Sequence, residues 1–249
     1  MSSIGSHGPR ASHILQHFGL APFGRILPSE AFVAAARENG CAPQRKRPLI
    51  PEVVAWLMMY AGLTTQSMTQ GITQGWGLVR AICPGLKETC VTEEAFSQAR
   101  KQLTHGFWRT LFNRLRRQYE EKLTPRMLWK NKFCVLAVDG SEVDLPNVPD
   151  LAEFFGRPKN GKGGSKTPQG RLVAMCSVFT GFCLAFKFVS LRFTEHAALR
   201  HLIRRLRRDD LALMDRGFFS LRRCGTDSLV RGSVPDARLR AGGRLCPAT

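Results

Sequence analysis

Two short apolar runs, residues 133–138 and 211–214, each end in an aspartate that a glycine follows within two positions. Runs this short, partly β-branched and without a polar face predict strands buried on both sides of a sheet. Upstream the apolar period is longer. Val53, Val54, Leu57, Met58 and Ala61 recur at helical spacing behind Pro51, which suits the first turn of a helix. Ser29 is placed to cap a helix over 30–39 that Gly40 ends, and Thr92 to cap another whose first turn carries Glu93 and Glu94. A further helix is predicted over 105–122, with Trp108, Phe112, Leu115 and Tyr119 on one face and Arg109, Arg116 and Arg117 opposite. Strand signals begin only at Phe133. Residues 172–180 and 182–193, joined through Gly181, then predict a hairpin. Thr194 opens a helix with Ala198, Leu199, Leu202, Ile203 and Leu206 inward and Arg200, Arg204, Arg207 and Arg208 outward. The fold class is therefore α+β. Residues 1–28 read as a loose leader, 29–124 as a helical domain, 125–220 as a mixed β-sheet domain and 221–249 as an aperiodic tail.

Both aspartates, Asp139 and Asp215, fall where the strands are predicted to end, and in open α/β sheets ligands bind beyond the carboxyl ends of strands. Each also has a structural reading. Asp139-Gly140 suits a tight turn into 142–145, and Asp215 suits the cap of a following helix. Between the two runs, Lys159, Lys162, Lys166 and Arg171 alternate with glycines over 156–171, so ammonium groups and backbone amides can approach phosphates closely. The alternative there is a solvated connector. Thr65-Gln66, Thr69-Gln70 and Thr73-Gln74 recur every four residues and read as a polar outer helix face interrupted by Gly71 and Gly75. Arg45-Lys46-Arg47 lies in a proline-bounded linker and reads as a solvated triplet or as a DNA-backbone contact.

Charge narrows the partner. The chain carries 37 Lys and Arg against 19 Asp and Glu, a formal charge of +18, which favours a polyanion, nucleic acid before anionic membrane. The longest hydrophobic run, 53–63, is too short to span a bilayer, and the first residues lack the basic cap and apolar core of a secretory signal. A cytoplasmic protein is expected. Eight cysteines without a Cys-x-x-Cys pair suit reduced, packed thiols rather than disulfides or zinc. His196 and His201, five apart, do not share a helical face.

Val138-Asp139-Gly140-Ser141, Phe155-Gly156-Arg157-Pro158-Lys159-Asn160, Glu195-His196 and Met214-Asp215-Arg216-Gly217-Phe218-Phe219-Ser220, in this order and spacing, resemble the DDE transposases of the insertion-sequence-four family. The likeness extends back to about Leu27 through 91–100. It implies an RNase H-like domain in which two aspartates on adjacent strands and a glutamate on a later helix hold divalent metal. Asp139 and Asp215 match the two aspartates, and no residue matches the glutamate. The implied cofactor is Mg²⁺, with Mn²⁺ as its substitute. The implied partners are duplex DNA, at element ends and target, and a homo-oligomer or full-length transposase. Lys159, Lys162, Lys166, Arg171 and Arg216 are the expected DNA contacts.

Past Ser220 the resemblance stops. Residues 221–249 alternate Arg, Gly, Cys and Pro and contain no Glu, a composition that resembles out-of-frame translation of a GC-rich gene. The sheet domain is therefore expected to be incomplete, truncated or frameshifted near residue 220, with the strand before Asp215 left as an exposed edge. Three function classes follow: an active transposase by resemblance but short of one metal ligand, so that the present copy is expected not to transpose; a non-catalytic DNA-binding fragment that inhibits the full-length enzyme; and a metal-dependent nuclease using two acids, or an unrelated basic helical protein whose acids are only turns and caps.

Overall fold

The structure is a computed structural model that describes residues 19–42, 49–64, 67–83, 85–88, 90–158, 167–215, 238–241 and 244–245. The chain divides into two compact units, one ending at Lys122 and the other starting at Leu123. Among the described residues no helix is long and apolar enough to cross a membrane.

The first unit is helical: α1 (Ala21–Ile26), α2 (Ser29–Glu38), α3 (Pro51–Thr64), α4 (Met68–Ile82), α5 (Glu93–Arg100) and α6 (His105–Glu121). Helix α3 is buried nearly all round, from Val53 to Leu57 without interruption, so the other helices wrap it. Thr92 caps α5 as expected, accepting from the Ala95 amide at 3.2 Å. Ser29 does not cap α2. It is the first helical residue, Pro28 precedes it, and its hydroxyl reaches Glu52 instead. Helix α6 is also rotated from the predicted face. Phe107 and Leu111 are its buried residues, while Trp108 and Leu115 pack at the margin.

The Thr-Gln repeat hides a packing device. A Cβ on Gly71 would lie 2.7 Å from Ala61 Cβ, and one on Gly75 would lie 2.7 Å from the Tyr60 ring. These glycines line the contact between α3 and α4 rather than interrupting an outer face, because only a missing side chain lets the helices approach so closely. Thr73 Oγ1 donates to the Thr69 carbonyl at 3.0 Å, and Thr69 Oγ1 donates to Glu93, so both hydroxyls are used within the unit.

The second unit is a mixed sheet, as the α+β class requires. Its strands are β1 (Cys134–Asp144), β2 (Gln169–Ser177), β3 (Cys183–Ser190), β4 (Asp210–Met214), β5 (Arg238–Ala241) and β6 (Arg244–Leu245), in the order β3-β2-β1-β4-β5-β6. A short helix α7 (Pro149–Phe155) follows β1, and α8 (Glu195–Ile203) links β3 to β4. Strands β1, β2 and β3 are successively antiparallel, whereas β4 lies parallel to β1 and β5 parallel to β4. One face carries Leu136, Val138, Val173, Met175, Ala185 and Ala212, on which Ala198, Leu199 and Leu202 of α8 pack. Alternation then turns Ala137, Asp139 and Leu213 to the other face, where all three are exposed.

Two expectations are corrected here. β1 does not stop or turn at Asp139-Gly140 but runs on to Asp144, paired with β2 throughout. The strand before Asp215 is not an edge either, since β4 is flanked by β1 and by β5, which is drawn from the expected aperiodic tail.

Candidate functional site

The parallel pairing of β1 with β4 ends at Val138 opposite Met214. Asp139 and Asp215 are each the next residue along, and neighbouring strands lie about 4.8 Å apart. Two carboxylates that are 76 positions apart in sequence thus meet on one rung, both exposed. Asp139 lies mid-strand in β1, and it is β4 that stops. The crevice predicted beyond a pair of strand ends is a step at which β1 loses its parallel neighbour. Asp139 Oδ1 accepts from the Gly140 amide at 2.8 Å, which orients the carboxylate forward along the strand.

On the opposite face, three residues further along β1, the sheet holds an ion-pair cluster that the sequence did not reveal. Arg171 stands directly across from Glu142 in the β1–β2 register, and its Nη2 donates to Glu142 Oε1 at 3.2 Å. Its Nη1 donates to the Phe193 carbonyl at 3.0 Å, and its Nε lies at ion-pair range, 3.6 Å, from Glu195 Oε1. The Arg171 side chain is 19% exposed. Arg171 was expected to touch DNA, but its guanidinium is committed to β1, α8 and the turn before α8. Thr194 caps α8 by accepting from the Ala197 amide at 3.2 Å and so fixes Glu195 in the first turn. Glu195 Oε1 then lies 3.3 Å from where a Gly140 Cβ would be, tighter than side chains normally tolerate. Glycine after Asp139 is thus what admits Glu195 beside the strand. The signal for this cluster was the register, which no local motif displays.

The other expected contacts, Lys159, Lys162, Lys166 and Arg216, lie outside the described residues, as does the Arg45-Lys46-Arg47 triplet. Among the described residues no group of three or more His, Cys, Asp or Glu is placed to hold a metal ion, so Glu195 does not complete a triad with the two aspartates.

The family described as "Insertion element 4 transposase N-terminal" matches residues 18–113, essentially the helical unit. The "Transposase InsG for insertion sequence element IS4" of Escherichia coli (strain K12) is 25% identical over 202 residues, 81% of this chain and 44% of that protein. The chain is thus similar to IS4 transposases, over its helical unit by the family match and over most of its length by the relative. It spans less than half the length of the curated IS4 relative it matches. The family match covers the helical unit, whereas the acid pair lies in the sheet unit.

Proposed function

We propose that this chain acts on duplex DNA as an IS4-family transposase polypeptide, with Asp139 and Asp215 together holding a divalent cation against a phosphodiester. The observation that carries the reading is their common rung on parallel strands, one residue beyond Val138 and Met214. The order β3-β2-β1-β4, antiparallel up to β1 and parallel from there, supports the RNase H-like architecture that the family resemblance implies.

The donor set fits the ion. Two exposed carboxylates offer hard oxygen ligands, and Mg²⁺ is usually held by one or two carboxylates, with water and substrate phosphates completing the shell. When bound, such an ion lowers the pKa of a water or hydroxyl nucleophile and neutralises charge on phosphate oxygens. Asp139 and Asp215 orient the phosphate edge, and the Gly140 amide keeps the Asp139 carboxylate aligned. The formal charge of +18 attracts the DNA backbone, with the lysines of 159–166 as the donors the sequence marks.

Two acids do not place a second ion firmly, so the chain by itself is proposed to bind DNA and metal without completing transposition. Full activity needs a third carboxylate from elsewhere. A fragment that occupies element ends while failing to cut them would also inhibit a complete enzyme.

The test is Mn²⁺ binding followed by electron paramagnetic resonance on the full chain, with Asp139→Asn and Asp215→Asn. Loss of the bound-ion signal in both variants, with circular dichroism unchanged, is the expected result. Equal binding by either variant and the parent would remove the acids from the site.

A further inference from the structure

The face of the sheet that bears the acid pair also carries a thiol. Ala137 pairs with Cys176 and Asp139 with Ala174 across β1 and β2, so Cys176 sits diagonally beside Asp139, about 7 Å away on the same face. On its other side Cys176 is the register partner of Cys183 in β3, just past a bulge at Met175/Cys176. Directly opposed residues of antiparallel strands have Cα atoms about 4.5 or 5.5 Å apart, and a disulfide accepts about 4.4–6.8 Å. Both cysteines are half-buried. Cys183 Sγ also lies 3.5 Å from the Ala185 carbonyl.

We propose that Cys176 and Cys183 form a reversible dithiol–disulfide couple, a redox-modification site on the acid-bearing face that responds to hydroperoxides. The inference stands on the β2–β3 register and does not depend on the acids holding metal.

The chemistry of the two sulfurs differs in the sense the reaction needs. The neighbouring Cys183 side chain holds the Cys176 thiol below its ordinary pKa, while Cys183 itself is pushed up by that contact and by burial. Cys176 is therefore the nucleophile and Cys183 the resolving thiol. By contrast burial pushes Cys83 up to about 12 and Cys134 up to about 11, which leaves both protonated at neutral pH. The Cys176 thiolate attacks one peroxide oxygen, breaks the O–O bond and becomes a sulfenic acid, and the departing oxygen takes a proton. Cys183 sulfur then attacks Cys176 sulfur, its proton leaves with the sulfenic oxygen as water, and the S–S bond forms. Two thiols lose two electrons and two protons, and the peroxide accepts both. The bond would lock the end of the β2–β3 hairpin beside the rung of Asp139.

Both cysteines fall in one tryptic fragment, residues 172–187, between Arg171 and Lys187. The full chain is treated with hydrogen peroxide, blocked with N-ethylmaleimide, digested and weighed. The expected fragment is lighter by two hydrogens, carries no maleimide and regains two alkylation sites after dithiothreitol. At pH 7 its oxidation should outrun that of Cys83 and Cys134 by at least about tenfold. In Cys183→Ser, Cys176 should instead be trapped by dimedone as a sulfenic acid. Two maleimides on the fragment after other cysteines have oxidised would overturn the proposal, as would Cys176 bonded to a different cysteine.

Discussion

Ser29 Oγ donates to Glu52 Oε2 at 2.5 Å, joining the first turn of α2 to the first turn of α3. Glu52 is only 7% exposed, so this hydroxyl satisfies a carboxylate that has little water. Ser29→Ala is expected to destabilise the helical unit by about 1–3 kcal/mol, because Glu52 then keeps only the weaker thiol donor of Cys83. Urea unfolding followed by the fluorescence of Trp56 and Trp76 measures it, and an unshifted midpoint would show that Glu52 has another adequate donor.

The same carboxylate predicts a pH dependence. Burial first, then the charge of Glu52 and a hydrogen bond to it, push the Cys83 thiol up to about 12. Between its ordinary value of 9.0 and about 12 the folded state keeps this proton while the unfolded state releases it. The folded chain binds more protons there, so its stability falls as pH rises through that window and is fully retained below 9.0. Cys83→Ala should flatten the alkaline loss relative to the parent. Equal slopes would mean that Cys83 ionises as readily folded as unfolded.

Glycines along α4 give a paired test. A Cβ on Gly71 meets Ala61 Cβ at 2.7 Å, whereas one on Gly77 meets nothing within 4 Å. Gly71→Ala should cost about 1–3 kcal/mol by overpacking, and Gly77→Ala should be neutral or gain up to about 1 kcal/mol of helix propensity. Thermal melts of the two variants should move in different directions. A common shift would deny the close approach of α3 and α4.

The features legible in the sequence were those coded locally. Thr92 and Thr194 cap the helices they were assigned, because a cap needs only its own next three amides. The two apolar runs ending in aspartate did mark neighbouring strands, although these are not buried on both sides as expected: the face bearing Ala137, Asp139 and Leu213 is exposed. What the sequence concealed was set by pairing at a distance. Gly140 looked like a turn because its dipeptide is a turn signal, yet the β2 partner extends β1 through it and Glu195 occupies the space its hydrogen leaves. Arg171 reads in the sequence only as a phosphate contact, and its pairing with Glu142 comes from a register no local motif displays. Ser29 looked like a cap because no local rule reports a carboxylate 23 residues away.

DNA affinity should depend on salt through the lysine-rich stretch. If Lys159, Lys162 and Lys166 each neutralise a phosphate, replacing all three by Ala lowers the magnitude of the slope of log affinity against log salt by about 0.9 for every phosphate left without its lysine. Arg171→Ala, which breaks a cluster inside the fold, should change stability more than that slope. Fluorescence anisotropy on a labelled duplex across a salt series separates the two. An unchanged slope in the triple variant would assign the lysines to solvent.

Cleavage is the decisive case. Asp139 and Asp215 share a rung, but no third acid joins them among the described residues, and Glu195 is held by Arg171 against Gly140. In a two-ion displacement one ion activates the nucleophile and the other stabilises the leaving oxygen. With two carboxylates the second ion has no fixed place, and the leaving oxygen loses a stabilisation worth several kcal/mol, on the order of a thousandfold or more in rate. The purified chain is therefore expected to bind matched element ends without nicking them in Mg²⁺ or Mn²⁺. Addition of a complete IS4-family transposase should restore cutting, and excess of this chain should suppress it by competing for the ends. Nicking by the chain alone that disappears in Asp139→Ala would show that two acids suffice or that the third ligand lies within residues 216–249. A nuclease acting without the third carboxylate would then replace the inactive-transposase reading.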